Sequence, residues 1–393
     1  MTRLVLGPDE ATLQQIKLAA AEKDTPFYLY DMEVFGARVE ALRAALPGCD
    51  LYYSAKANPH PNMLSTAAAM GCGIELASLG ELNAIVTAGI EPARTVLVGP
   101  AKSERLIAAA IEQDVTVVVE SENELLRIIR LATGRTRSVQ VMLRLNITGA
   151  RGGLRMSGHQ FGMSRSQILT CLELLSTARE LSFTGYHGYL ASQLLSAADV
   201  IHNAKLVVDV VTELRELGFP ATNIDLGGGF GIGYAQGEKE LDLAALQPDI
   251  PHVQSAAGGA QLMFESGRFI AGPAGALVCR VVDIKTIDNR RFVLLDGGMN
   301  ASGLFGGGNG MRNLNHSVVR DATVVTGGTP ANICGPLCTP MDRLATNVPC
   351  AAAIDDLVVW WNMGAYGLTA APVDFLSFPH PIEVFHDQLA IRL

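Results

Sequence analysis

No stretch of the chain approaches the roughly 20 consecutive apolar residues that a bilayer-spanning helix needs. The N-terminus, MTRLVLGPDEATLQQ, also lacks the apolar core of a secretion signal, so a cytoplasmic protein with no membrane contact is expected. Lysine and arginine form no block. The 30 basic residues are outnumbered by 39 acidic ones, for a net charge of −9, which excludes a surface that tracks a nucleic-acid backbone. Cysteine is sparse and irregularly placed: Cys49, Cys72, Cys171, Cys279, Cys334, Cys338 and Cys350 form an odd, scattered set. That excludes a secreted disulfide scaffold and points to reduced thiols. Cys334 and Cys338 have no second pair at zinc-site spacing, so no metal is expected. Charged residues are only 18% of the chain against 49% hydrophobic, which excludes general disorder and leaves apolar material for a sizeable core. A length of 393 residues exceeds what one core usually serves, and two domains are expected. There is no solenoid repeat, and the one low-complexity patch, Gly306 to Gly310, reads as a loop.

What the chain does contain is a series of short apolar runs. Eight stand out: Leu51–Ala55, Gly73–Leu76, Thr95–Val98, Val115–Val119, Val139–Leu145, Phe183–His187, Asn223–Leu226 and Gln261–Phe264. Helix-like segments lie between them, as in Ser121–Ile129, where Ser121 followed three residues later by Glu124 is a capping-box signal. The repeated alternation matches a (β/α)₈ barrel, whose usual length is about 250 residues. A doubly wound sheet would show the same alternation.

The character changes from about Leu277. Leu277–Ile284 and Arg291–Leu295 are rich in β-branched residues and joined by the polar turn Asp288-Asn289, which reads as an antiparallel β domain. Pro26–Asp31 is an early strand candidate able to join that sheet. The expected organisation is α/β: a TIM-like barrel over 32–275, with 1–31 plus 276–393 forming a β domain built from both chain ends.

Two features carry chemistry by themselves. Asp225-Leu226-Gly227-Gly228-Gly229-Phe230-Gly231 ends the seventh run, where glycines let backbone N–H groups approach an anion without a Cβ in the way. In barrels the loops after strands seven and eight are the usual phosphate site, although such a glycine stretch can also serve chain geometry alone. Lys56 falls at the end of the first run, on the face where barrel active sites are assembled. A lysine desolvated there becomes a nucleophile toward an aldehyde; exposed, it would be an ordinary surface residue. A lysine, a phosphate loop and a carboxylate at Glu265 are the three things pyridoxal phosphate requires.

Tyr53-Ser54-Ala55-Lys56-Ala57-Asn58, the Asp225–Gly231 stretch, Glu265-Ser266-Gly267-Arg268, Gly335-Pro336-Leu337-Cys338 and Gly364-Ala365-Tyr366-Gly367 occur in that order. Together they resemble the motifs of the fold-type III pyridoxal-phosphate decarboxylases, the family of diaminopimelate and ornithine decarboxylases, over residues 25 to 386. The resemblance implies an alanine racemase-like barrel plus β domain and a head-to-tail homodimer with shared sites. It also implies roles: Lys56 as the Schiff-base lysine, Gly227, Gly228 and Gly229 as the phosphate loop, and Glu265 as the ring-nitrogen partner with Gly267 and Arg268 beside it. Tyr366 would be a further phosphate contact. Cys338 of the partner subunit would help protonate the carbanion. A carboxylate at the ring nitrogen strengthens the electron sink and favours decarboxylation over racemisation.

The chain departs from that pattern in three places. Where the family carries a cofactor-stacking His, this chain reads Gly185-Tyr186-His187-Gly188-Tyr189, so Tyr189 takes the stacking place and His187 can be a core residue. Thr339-Pro340-Met341-Asp342 follows Cys338 where a diaminopimelate decarboxylase has an ammonium-reading Glu, and Met299–Phe305 lacks its carboxylate-reading Arg. Arg268 alone is kept for an anion, with Thr339 and Asp342 as the other substrate contacts. A pocket without those partners should reject a doubly charged substrate. The segments 335–342 and 364–370 resemble a biosynthetic subgroup, that of the butirosin pathway, whose substrate is glutamate held as a carrier-protein thioester. The expected activity is therefore α-decarboxylation of an L-amino acid with a masked distal end, in a secondary-metabolite or siderophore-like pathway, with a carrier protein as a further partner. Decarboxylation of free diaminopimelate, ornithine or lysine is the alternative, and a non-catalytic regulatory homologue is a second.

Overall fold

The structure, a computed structural model, describes residues 3–156, 158–305 and 313–385, so the Gly306 to Gly310 loop lies outside the described residues. In chain order the strands are β1 (Phe27–Tyr30), β2 (Asp50–Ser54), β3 (Gly73–Leu76), β4 (Thr95–Leu97), β5 (Thr116–Val119), β6 (Val139–Arg144), β7 (Leu154–Arg155), β8 (Leu181–His187), β9 (Ala191–Ser192), β10 (Asn223–Asp225) and β11 (Gln261–Ser266). After them come β12 (Gly275–Ile287), β13 (Arg290–Leu295), β14 (His316–Arg320), β15 (Thr323–Val325), β16 (Pro330–Cys334), β17 (Arg343–Pro349), β18 (Leu357–Trp360) and β19 (Ile382–Phe385).

The chain divides into two compact units. One comprises Val39–Ile232 and Glu240–Gly267; the other comprises Met1–Arg38, Gly233–Lys239 and Arg268–Leu393. In the first, β2, β3, β4, β5, β6, β8, β10 and β11 close into a parallel barrel. Each of the eight apolar runs supplies one of these strands, which decides for the barrel over the doubly wound sheet. Tyr52, Val96, Val118, Met142 and Met263 are buried together from five of the strands. Gly73 makes room for one of them, since a Cβ there would lie 2.3 Å from the Tyr52 ring.

The helix Glu122–Ala132 starts as its sequence indicates, with the Ser121 hydroxyl accepting from the Glu124 amide. The reciprocal arm of a capping box is absent, because the Glu124 side chain is used elsewhere. Its carboxylate accepts from the Glu120 amide at 2.7 Å and pairs at 3.0 Å with Lys102, which is itself buried. Arg144, at the end of β6, donates to Glu120 at 2.7 Å.

The second unit is built on a nine-stranded sheet. Asp288 and Asn289 adopt φ of 48° and 59° and close the β12–β13 hairpin, as a two-residue turn between right-twisted strands requires. The early strand β1 pairs antiparallel with β12. The sheet is mixed rather than wholly antiparallel, because β1 with β19 and β13 with β16 run parallel. The helix Glu10–Glu22, capped by Asp9 on the Thr12 amide, presses Leu13, Ile16 and Ala19 onto this sheet's apolar face. Among the described residues no helix is long and apolar enough to cross a membrane.

Because Lys102 and Glu124 are both nearly inaccessible, removing one partner leaves a buried charge. Glu124→Ala should cost about 3–5 kcal/mol, whereas the double change Lys102→Met with Glu124→Leu should cost much less. Chemical denaturation of the three proteins checks the order.

Candidate active site

The barrel unit gathers ionisable groups at the C-terminal ends of its strands. Lys56 sits on the short turn Ala55–Ala57 that leaves β2, and its Nζ lies 2.7 Å from each carboxylate oxygen of Glu75 on β3. The Lys56 side chain is about one-third exposed and Glu75 is fully buried. Burial pushes the Glu75 carboxyl up; Lys56 opposes this, and the neighbouring Glu265 adds to it. An amine held by a buried acceptor has a nearby destination for its proton. The Tyr189 ring centroid lies 5.6 Å from the same Nζ.

Across the barrel mouth, His187 ends β8, Asp225 ends β10 and Glu265 lies near the end of β11, with one ligating atom of each within 4.8 Å of the others. His187 Nε2 is 3.3 Å from Glu265 Oε1, and both side chains are buried. Burial drives both acids toward the neutral form, but their surroundings separate them. Asp225 is raised well above its ordinary range by burial and then by the charge of Glu265. Against the same burial, Glu265 is held below its range by His187, Lys56 and Arg144. The two carboxyls are thus pushed in opposite directions, Asp225 toward the acid and Glu265 toward the anion.

The glycine loop follows β10. Gly227 and Gly229 have φ of 64° and 80°, in the left-handed region that glycine tolerates. A Cβ on Gly228 would lie 1.6 Å from the Glu265 carbonyl oxygen, and one on Gly229 2.1 Å from that of Ala191. Among the described residues the amides of Gly228 and Gly229 donate to no protein acceptor. Gly267 serves the other side of the mouth: a Cβ there would lie 2.6 Å from that of Ala57, so it lets the end of β11 pack on the turn carrying Lys56.

The second unit holds the remaining expected residues. Arg268 donates to the Tyr234 hydroxyl at 2.7 Å, and its guanidinium lies 4.6 Å from the Tyr366 ring centroid and 5.5 Å from that of Tyr234. Tyr366 adopts a left-handed φ of 55°. Arg268 and Tyr366 therefore come together, and Tyr234 is added to them. Cys338 is exposed on the loop after β16. Thr339, expected as a substrate contact, accepts with its hydroxyl from the Met341 amide in its own turn. Asp342, also expected to meet substrate, is buried; its carboxylate accepts from the Met299 amide at 2.7 Å and the Leu337 amide at 2.8 Å. That leaves it stapling two loops, one of which carries Cys338.

Sequence reasoning passed over Glu75, Asp225 and Tyr234 as site residues and left His187 between core and cofactor. The available signal was an acid within an apolar run, Gly73-Ile74-Glu75-Leu76, and an aromatic closing Gly231-Ile232-Gly233-Tyr234.

These residues fit pyridoxal phosphate on three counts. The glycine loop offers the free amides of Gly228 and Gly229 where a side chain cannot stand, Glu265 presents a buried carboxylate at the strand end, and Lys56 offers an amine beside a buried acid.

Residues 33–272 match the family described as pyridoxal-dependent decarboxylase, pyridoxal binding domain. The chain is 32% identical over 391 residues to an L-glutamyl-(BtrI acyl-carrier protein) decarboxylase of Niallia circulans, covering 95% of this chain and 91% of that one. It is 30% identical to the diaminopimelate decarboxylase of Aquifex aeolicus, covering 96% of this chain and 90% of that one. A solved structure of diaminopimelate decarboxylase from Helicobacter pylori with L-lysine superposes with a TM-score of 0.84 at 25% identity, covering 94% and 93% of the two chains.

The glycine loop makes a sharp prediction. Gly228→Ala cannot be placed without moving the backbone of Glu265, so the protein should lose its cofactor on gel filtration while keeping its far-ultraviolet circular dichroism. Retention of pyridoxal phosphate by Gly228→Ala would show that the loop does not cradle it.

Proposed function

Since this chain belongs to the pyridoxal-dependent decarboxylase family, an amino-acid decarboxylase that uses pyridoxal phosphate, we propose that its substrate is an L-amino acid whose distal end is masked as an ester, amide or carrier-protein thioester. One observation carries this reading: the side chains that would read a charged distal end are missing. Met299–Phe305 contains no basic residue. In Thr339-Pro340-Met341-Asp342, the segment that follows Cys338, the one acid is Asp342, whose buried carboxylate is already taken by two backbone amides. A free ammonium or carboxylate entering such a pocket would be desolvated without a partner, at a cost of several kcal/mol. The similarity to the Niallia circulans enzyme, named for a carrier-protein-bound glutamate, supports the thioester form.

In this reading Lys56 holds the cofactor through its amine, the amides of Gly228 and Gly229 in the loop that Gly227 opens, together with Tyr366, hold its phosphate, and Glu265 meets the ring nitrogen, with Gly267 and Arg268 beside it. When bound, pyridoxal phosphate supplies the electron sink that takes up the pair left at Cα as CO₂ departs. Glu75 accepts the proton that Lys56 Nζ sheds to become a nucleophile. Tyr189 offers its ring face for stacking. Tyr234 and Tyr366 flank Arg268, which is kept for an anionic group. The Cα pair is then protonated with the help of Cys338 of the partner subunit, so that one proton replaces the lost carboxylate. The site is thus shared in a homodimer.

The 30% identity to the Aquifex aeolicus enzyme favours a second reading, decarboxylation of free diaminopimelate, ornithine or lysine. A CO₂-release assay separates the two. The panel is free diaminopimelate, ornithine, lysine and glutamate beside a γ-glutamyl thioester. CO₂ from the thioester alone is expected, together with a visible cofactor band that Lys56→Ala abolishes. Efficient turnover of a free diamino acid would overturn the masked-substrate reading.

Shared sites make a second prediction. Lys56→Ala and Cys338→Ala should each be severely impaired, the latter by on the order of a hundredfold or more if it acts as a positioned proton donor. Mixed after subunit exchange, the two should recover part of the activity, because one site per mixed dimer combines intact halves. Verified exchange without recovery would place Lys56 and Cys338 of each site on one chain.

A further inference from the structure

Three side chains meet in the barrel mouth with less hydrogen bonding than their burial demands. Both ring nitrogens of His187, Glu265 Oε1 and Asp225 Oδ2 are buried and without a hydrogen-bond partner. His187 Nε2 lies 3.3 Å from Glu265 Oε1. Asp225 is otherwise anchored, its Oδ1 accepting from the Gly227 amide at 2.8 Å. An unpartnered buried polar atom costs about 1–3 kcal/mol, and four in one cluster are not expected of simple packing. His187 also sits at the end of an inward-facing strand, where a core residue would ordinarily be apolar.

The choice between the two acids turns on this histidine. A carboxylate beside an imidazole selects the tautomer that carries its proton on the facing nitrogen, here Nε2. Of the two carboxyls, Glu265 is the one within reach of it. The other charged groups acting on the cluster are Lys56, Glu75 and Arg144. Glu75 shares its charge with Lys56 at 2.7 Å, and Arg144 with Glu120 at 2.7 Å, so both cations are already committed. His187 is the group left for Glu265.

We propose that His187 is a positioning residue whose Nε2–H fixes the Glu265 carboxylate, so that Glu265, and not Asp225, serves the cofactor's ring nitrogen as the anion. The burial and charge effects on the two acids point the same way, Asp225 upward and Glu265 downward. The proposal rests on the assignment of Glu265 to the ring nitrogen made above. Its consequence is electronic: a ring nitrogen that keeps its proton is the stronger electron sink. Without the histidine Glu265 loses the donor that faces its Oε1, and the ring nitrogen would no longer face a fixed anion.

The test uses the full-length protein loaded with pyridoxal phosphate labelled with ¹⁵N in the ring, and compares parent, His187→Gln, His187→Leu and Glu265→Gln. The ring-nitrogen chemical shift should lie in the protonated range for the parent and His187→Gln, which keeps an N–H donor. For His187→Leu and Glu265→Gln it should move toward the unprotonated range. With the shift, kcat of His187→Leu should fall about ten- to a hundredfold, the scale on which groups behind a directly acting residue contribute, while cofactor affinity changes little. A protonated ring in His187→Leu while Glu265→Gln loses its proton would overturn this inference alone. Equal losses of activity in Leu and Gln variants with the ring protonated in both would reduce His187 to packing and also overturn it. A ring unmoved in Glu265→Gln would remove the Glu265 assignment and the inference with it. Should His187→Leu not fold, His187→Asn takes its place, since its shorter amide cannot reach Glu265.

Discussion

The site depends on one close approach of backbone to backbone. The loop after β10 crosses the end of β11 so tightly that the Glu265 amide donates to the Gly227 carbonyl at 2.7 Å and Gly228 has no room for a Cβ. This contact sets the position of Glu265 and turns the amides of Gly228 and Gly229 away from protein acceptors. Gly267 repeats the device one turn later, against the Lys56 turn. Each glycine costs conformational entropy on folding, about 0.5–1 kcal/mol relative to alanine in a regular element. The gain is a rigid frame in which the amine, the anion and the free amides are held by main chain rather than by flexible side chains.

Around that frame the barrel collects charge. Glu75, Glu120, Arg144, His187, Asp225 and Glu265 are all buried at or near the ends of six of the eight barrel strands, on the side where barrels assemble active sites. Burying so many ionisable groups is unfavourable unless they are paired. Lys102 with Glu124, Arg144 with Glu120, and Lys56 with Glu75 are the pairs that offset the cost. The residual imbalance falls on Asp225 and Glu265. A protein selected only for stability would fill these positions with valine or leucine; the retained carboxyls mark the part of the barrel given over to chemistry.

The legible parts of the site were those written in contiguous residues. Lys56, Gly227 to Gly229 and Glu265 stand in short motifs at strand ends, and period and position were enough to draw attention to them. Glu75 was not legible, because an acid in the third place of a four-residue apolar run is equally compatible with a surface-facing strand position. Asp342 was legible as a residue but not as a partner: nothing in Thr339-Pro340-Met341-Asp342 shows that its carboxylate turns back to two amides, one of them 43 positions away. Tyr234 and Arg268 are likewise 34 positions apart and meet only when the chain is folded.

The amino-acid order by itself determined the alternation of eight apolar runs with helices, the hairpin turn at Asp288-Asn289, and the local chemistry of the lysine, the glycine loop and the strand-end carboxylates. Each of these is a property of residues a few positions apart, governed by period, turn conformation and side-chain type. Only the tertiary structure decided that the strands close into a barrel, that the second sheet is mixed, and which acid is paired with which cation. Those outcomes depend on distances between residues far apart in the chain and on the loss of water around them. A carboxyl at Asp225 or Glu265 is the same group in sequence; in the fold His187, Lys56 and Arg144 draw Glu265 toward the anion against its burial, while burial and the charge of Glu265 push Asp225 toward the neutral acid.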